Sequence, residues 1–120
     1  MRRVLLTLPT APGSPYVHKR VHMMVTRLLA DARYHVTPIW PSHLPFENNL
    51  HHIVLDFLAG QYDFWLSIDH DNPPTMNPLE AIEYNRDIIG FPTPVWHYMG
   101  KAGERPIYWN GYDYDAAADA

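Results

Sequence analysis

The sequence has no cysteine, no basic stripe and no long apolar run, and each absence excludes a class of protein. Without cysteine the chain forms no disulfide, no thiolate metal site and no cysteine nucleophile. Nine Lys and Arg residues are spread along a chain of net charge -4 without forming a stripe, which argues against binding to a nucleic-acid backbone. The first apolar run is interrupted at Pro9, too early for a signal peptide or a membrane span. We therefore predict a cytoplasmic protein that binds neither nucleic acid nor a membrane.

The length and composition fit one compact domain. The chain has 120 residues, of which 47% are hydrophobic and 18% are charged, enough for a modest core. The last residues show no apolar periodicity. We predict a single domain over residues 1–112 and a flexible tail over residues 113–120.

Apolar strands and amphipathic helices alternate along the chain. Strands are predicted at short apolar or β-branched runs, over residues 4–8, 35–40 and 64–68. Helical spacing predicts a helix that Ser14 and Pro15 begin and that ends near Asp31, and a short helix that Asn77 caps. A middle helix from Glu47 to the stop at Gly60 has an apolar face made of Leu50, Ile53, Val54, Phe57 and Leu58. This order predicts an α/β fold of three layers, a mainly parallel sheet with helices on both faces.

The C-terminal part predicts two further features. Residues 88–90 are interpreted as a short strand, and residues 95–98 are expected to pair with residues 107–109 as a hairpin at the sheet edge. The aromatic residues of this hairpin suit stacking on a sugar or a base, and they suit packing on the sheet or in a subunit interface equally well.

The apolar stretch 64–68 runs directly into Asp69, His70 and Asp71. Such a run is typical of a strand buried on both faces at the centre of a parallel sheet, whose carboxyl end is where open α/β sheets bind ligands. In an extended segment Asp69 and Asp71 point the same way, so their carboxylates can share one Mg²⁺ or Mn²⁺. The alternative is a purely structural role, in which the two acids only solvate the strand end or Asp71 caps the turn before Pro73.

With these acids after the third strand and a following Asp-Ile-Ile-Gly segment, the chain resembles the nucleotide-binding half of GT-A glycosyltransferases, notably the family-2-like proteins found in phage genomes. The resemblance covers residues 4–98 and implies a GT-A or Rossmann-like half. It implies that Asp69 and Asp71 hold Mn²⁺ or Mg²⁺ on the diphosphate of a nucleotide diphosphate sugar. A phage-encoded chain would act in the host cytoplasm.

The resemblance also implies roles for residues outside the acidic pair. Pro9 and Thr10 match the Pro-Thr that cradles the nucleoside at the end of the first strand, and the loop that follows, up to Tyr16, is expected to help hold it. Asn72 is expected near the sugar. Independently of the resemblance, His97 is a candidate third metal ligand if its segment folds back on the acidic loop.

Three departures from the family pattern limit what it implies. Residues 47–49 lack the Arg of the usual Arg-Asn pair, and residues 40–42 lack the acid that reads the base. The family's domain usually continues beyond the point where this chain ends, into the acceptor site and the catalytic base. Two functions are therefore carried forward: a metal-dependent glycosyltransferase or its nucleotide-sugar-binding half, with its acceptor and catalytic residues unidentified, and a non-catalytic binding or assembly module. A homo-oligomer is compatible with both.

Overall fold

A computed structural model of the chain describes residues 1–13 and 16–91 in full, and residues 93–96 and 107–110 by their backbone. Contacts divide the chain into two compact units, Met1–Tyr84 and Asn85–Ala120. The predicted single domain over residues 1–112 stays a prediction, and the predicted tail over residues 113–120 lies outside the described residues.

The first unit is built on a parallel sheet of three strands. Along the chain its elements are β1 (Arg2–Thr7), α1 (Lys19–Leu29), β2 (Tyr34–Ile39), α2 (Phe46–Ala59), β3 (Phe64–Ser67) and a 3₁₀ helix (Pro78–Tyr84). The strand order is β2-β1-β3, and Val4 of β1 lies between Val36 and Phe64. The predicted α/β fold with a parallel sheet is confirmed, and it is consistent with a Rossmann-like layout.

Both faces of the central strand β1 are buried. Its side chains point alternately to one face and to the other. Val4, Leu6 and Leu8 join one core cluster with apolar residues of α1 and with Leu79 of the 3₁₀ helix. Leu5 and Thr7, on the other face, are also buried but belong to no part of that cluster. Right-handed crossovers on a sheet of this order place α2 on that second face, where its two buried residues are Asn49 and Ile53.

The position of β3 in the sheet differs from the predicted one. The apolar run was expected in a central strand buried on both faces, but β3 lies at an edge of the three-stranded sheet. Its residues alternate between partly buried and exposed, and the side chain of Trp65 is 42% exposed. The reason is topological: the chain crosses back over β1 after α2, so β1 becomes the centre of the sheet.

The helices also differ from prediction in detail. α1 begins at Lys19 with His18 as its N-cap, not at Ser14 and Pro15, which lie outside the described residues. The final helix is a 3₁₀ helix, although Asn77 caps it as predicted by accepting a hydrogen bond from the amide of Leu79 at 3.0 Å. On α2 the predicted apolar face is confirmed only in part, because Ile53 is fully buried whereas Val54 and Leu58 are exposed.

In the described part of the second unit there is one pair of short strands. β4 (Thr93–Trp96) and β5 (Ile107–Asn110) are antiparallel, with Val95 opposite Tyr108. The location of this hairpin at the edge of the parallel sheet stays a prediction. Residues 88–90 form no strand, and the side chain of Ile88 is 91% exposed. No helix of the described residues has the length and apolar character that crossing a bilayer requires.

Candidate functional site

The strand order creates one place where a ligand crevice is expected. From β1 the chain crosses to one side to form β2 and then returns across β1 to form β3. In open α/β sheets the ligand binds where this direction reverses, outside the carboxyl ends of the two strands concerned. In this chain the reversal lies between β1 and β3. The segments leaving those strand ends begin at Leu8 and Ile68, so they carry Pro9 and Thr10 on one side and Asp69 to Asn72 on the other.

Asp69 and Asp71 lie on a tight turn at this edge. The amide of buried Ile68 donates to the carbonyl of Thr7 at 3.0 Å, which extends the β1-β3 pairing to the residue before the acids. The amide of Asn72 then donates to the carbonyl of Asp69 at 3.3 Å and closes the turn. Because the segment turns here, the expected alignment of extended residues two apart does not apply to the acidic pair. What the turn provides is exposure of both acids and of Asn72 to solvent.

The start of α1 holds the same turn from the other side. The amide of His18 donates to the carbonyl of His70, between the two acids, at 2.9 Å. The imidazole of His18 meanwhile accepts from the amide of Arg20 at 3.1 Å and so caps the helix. Sequence reasoning missed this connection. Histidine is not a favoured N-cap residue, and the bond to His70 uses only backbone atoms, so no residue pattern reports it.

A buried asparagine organises the neighbouring loop. The carbonyl of Pro41 accepts both the amide of Thr10 and the side-chain amide of Asn49, each at 3.0 Å. The side-chain oxygen of Asn49 accepts the amide of His43 at 3.1 Å. Asn49 thus fixes the loop after β2, and that loop fixes Thr10. An amide within the apolar spacing of α2, one turn before Ile53, is the signal from which this residue could have been found.

The other predicted site residues differ in their exposure, and one of them lies outside the described residues. Pro9 and Thr10 are half-buried at the end of β1, whereas Tyr16 is an exposed side chain. Asn72 is part of the acidic turn through its backbone. His97 lies outside the described residues.

The donor set of the turn suits a cation that is shared with a ligand. Neither Asp69 nor Asp71 pairs with a cation of the described residues. No group of three or more His, Asp or Glu side chains in the described part of the chain could hold a metal ion. Mg²⁺ in proteins is usually held by one or two carboxylates together with water and substrate phosphates, and seldom by protein ligands alone. Two accessible acids are therefore enough for a site of this kind.

The strongly perturbed titratable groups lie at the opposite edge of the sheet, where β2 begins. Hydrogen bonds from Arg33 lower the pKa of Asp31 to about 2, and the bonds of Arg33 to Asp31 and then Glu80 raise its own pKa. The hydroxyl of Tyr34 donates to Glu83, and this bond, followed by burial, raises the pKa of Tyr34. The bonds from Arg33 to Glu80 and from Tyr34 to Glu83 join the start of β2 to the 3₁₀ helix. They lie at the amino ends of the strands, away from the edge where open α/β sheets bind ligands.

Compared with protein-family models, with curated proteins and with solved structures, the chain matches none.

Proposed function

We propose that this chain binds a nucleotide diphosphate sugar together with Mn²⁺ or Mg²⁺ at the β1-β3 crevice, as a metal-dependent glycosyltransferase of the GT-A type or its nucleotide-binding half. The observation that supports it most is the position of Asp69 and Asp71. They are exposed, and they lie on a turn that main-chain bonds from Ile68 and His18 fix at the reversal point of the sheet.

Charge explains why a cation belongs in the proposal. The chain has a net charge of -4, and the turn itself presents two carboxylates and no Lys or Arg. A diphosphate placed against those carboxylates would be repelled unless a divalent ion lay between them. Asp69 and Asp71 are the residues that would hold that ion.

Each part of the crevice has a distinct role in the proposal. Bound there, the metal supplies Lewis-acid stabilisation of the departing diphosphate as the sugar passes to an acceptor hydroxyl. Asn72 follows the acids and would contact the sugar. Pro9 and Thr10 would hold the nucleoside, with Asn49 positioning Thr10 through the carbonyl of Pro41. The exposed ring of Tyr16 is available to cover the base.

Thermal unfolding tests the proposal. A ligand that binds only the folded state raises its stability, by about 2.7 kcal/mol at a hundredfold excess over Kd. We expect UDP-, GDP- or TDP-sugars to raise the Tm with Mn²⁺ and to leave it unchanged with EDTA. A Tm shift that persists in EDTA would contradict the metal-bridged mode. No shift with any of the three nucleotides at millimolar concentration would contradict nucleotide-sugar binding.

One observation favours the second candidate, a non-catalytic assembly module. On α2 the side chains of Leu55 and Leu58 are exposed, and Trp65 of β3 is exposed as well. Large apolar side chains that face solvent are common at protein interfaces. If the chain is such a module, analytical ultracentrifugation should show a homo-oligomer that Leu58→Glu dissociates, with no effect of nucleotide on Tm.

A further inference from the structure

A groove separate from the acidic turn runs between α1 and the segment from Pro73 to Asn77. Its volume is about 550 Å³. Ligand sites in proteins typically enclose about 300 to 1,000 Å³, so the groove is large enough for a ligand or for a short stretch of peptide.

Two arginines mark the groove along the helix. Arg20 and Arg27 both line it and are seven residues apart, so they lie on the same side of α1, two turns and about 10 Å from each other. Neither guanidinium has an ion-pair partner in the described part of the chain. None of the described residues that line the groove is acidic, and α1 contains no acid at all. The groove is therefore a local cationic site on an acidic chain.

The surface between the arginines is apolar. Met24 and Leu28 form a buried floor, and Met23, which is 44% exposed, reaches into solvent beside them. Pro73 and Pro74 are the half-buried opposite wall. Methionine side chains adapt to ligands of different shape, and proline wall residues lose no backbone freedom when a ligand binds.

We propose that this groove binds an extended acidic peptide segment of a partner protein, with two carboxylates that flank apolar side chains. In an extended chain, side chains four residues apart lie on the same face about 13 Å from each other, a distance that the long side chains of Arg20 and Arg27 can span, and the side chain midway between them faces the methionine floor. A compact anion such as phosphate reaches one arginine and leaves the methionine floor exposed. A planar lipid surface does not enter a groove. The remainder of the acidic chain repels such a peptide, which directs it to this groove.

The proposal is independent of nucleotide-sugar binding. The acids of the turn, Asp69 and Asp71, do not line the groove. The double variant Asp69→Asn with Asp71→Asn is therefore expected to bind the peptide as the wild type does, even if it no longer binds a metal ion.

Fluorescence anisotropy with the whole chain tests the groove. The probe is a labelled eight-residue peptide in which two glutamates four residues apart flank a leucine on the same face, and its twin carries glutamine in place of glutamate. We expect the glutamate peptide to bind at low salt, and Arg20→Gln with Arg27→Gln to raise its Kd about tenfold, since each exposed pair contributes up to about 1 kcal/mol. Met23→Gln should also raise the Kd, by about threefold, because it removes apolar contact.

A matched control separates the groove from general attraction. Lys19→Gln with Arg86→Gln removes the same charge from exposed residues that do not line the groove, and it should change the Kd less than twofold. Circular dichroism checks that each variant folds. Equal loss of binding in both double variants, equal affinity for the glutamine twin, or no binding of the glutamate peptide would overturn the proposal. If the chain instead bound vesicles of phosphatidylserine through Arg20 and Arg27 and did not bind the peptide, the proposal would also be overturned.

Discussion

The backbone amide of His18 donates a hydrogen bond of 2.9 Å to the carbonyl oxygen of His70. His18 caps α1, and His70 lies between the two acids of the turn after β3. The bond therefore joins the first crossover helix directly to the candidate metal site. Together with the bond from Ile68 to Thr7, it holds the acidic turn from both sides without using any side chain.

Removal of the two carboxylates should abolish divalent-ion binding. We expect isothermal titration calorimetry to detect Mn²⁺ binding to the wild type and none to Asp69→Asn with Asp71→Asn, because amide oxygens carry no net charge to attract the ion. Asp56→Asn with Asp87→Asn, which changes two exposed acids elsewhere, should bind Mn²⁺ like the wild type. Equal Mn²⁺ binding by all three proteins, or none by the wild type, would eliminate the site.

The side chain of Asn49 should matter for the crevice as well as for stability. Asn49→Ala leaves the amide of His43 without its partner and removes one of two donors from Pro41, at a cost of about 1 to 3 kcal/mol in unfolding free energy. Since Thr10 bonds to the same carbonyl, the Tm shift caused by a nucleotide sugar should also fall. Asn48→Ala removes a single longer bond, to Leu44 at 3.3 Å, and should cost less than half as much. Similar effects in both variants would argue against a special role for Asn49.

α2 should be held to the sheet mainly through Ile53. This side chain is fully buried, so Ile53→Ala should lower the free energy of unfolding by about 2 to 5 kcal/mol in urea denaturation. Leu58, on the same helix, is 68% exposed, and Leu58→Ala should cost less than about 0.5 kcal/mol. A large effect of Leu58→Ala would mean that something covers this side of α2 in solution.

Stability should fall in acid through Asp31. Its pKa is about 2 in the folded chain against an ordinary value of 3.8, chiefly because Arg33 donates hydrogen bonds to it. A pKa lowered by folding gives stability that is complete above about pH 4 and is lost as the pH falls toward 2. Arg33 is partly exposed, so solvent screening makes this stability smaller than the pKa change alone implies. Urea denaturation at pH 6 and pH 2.5 should show a smaller loss in Asp31→Asn than in the wild type, and an unchanged loss would exclude Asp31 as its source.

Local sequence patterns were sufficient to predict the elements but not how they are arranged. The apolar runs around Val4, Val36 and Phe64 predicted all three parallel strands, and Gly60 marked the end of α2. The order of the strands depends on which neighbour each one pairs with, and an apolar run such as that around Trp65 suits a central strand and an edge strand alike. For this reason the predicted burial of β3 on both faces was wrong, although its predicted location in the chain was right.

The sequence predicted only those parts of the candidate site that consist of characteristic side chains. Asp69 and Asp71 could be found because two acids directly follow a strand. The bond between His18 and His70 involves only the backbone, and so leaves no pattern. Arg20 and Arg27 belong to no charge pattern that the sequence analysis singled out. Only the packing of Pro73 and the residues after it against α1 shows that both face one groove.

The central place of β1 has a consequence for how the chain assembles. Val4 meets Val36 across a short stretch of sequence, and meets Phe64 only after the whole of α2 has been made. During synthesis β1, α1 and β2 can therefore associate first, and β3 arrives last with the acidic turn behind it. Until then one side of β1 is a bare row of amide and carbonyl groups, the kind of edge on which other chains add. Docking of β3 thus completes the candidate crevice and covers the open side of β1 in the same step.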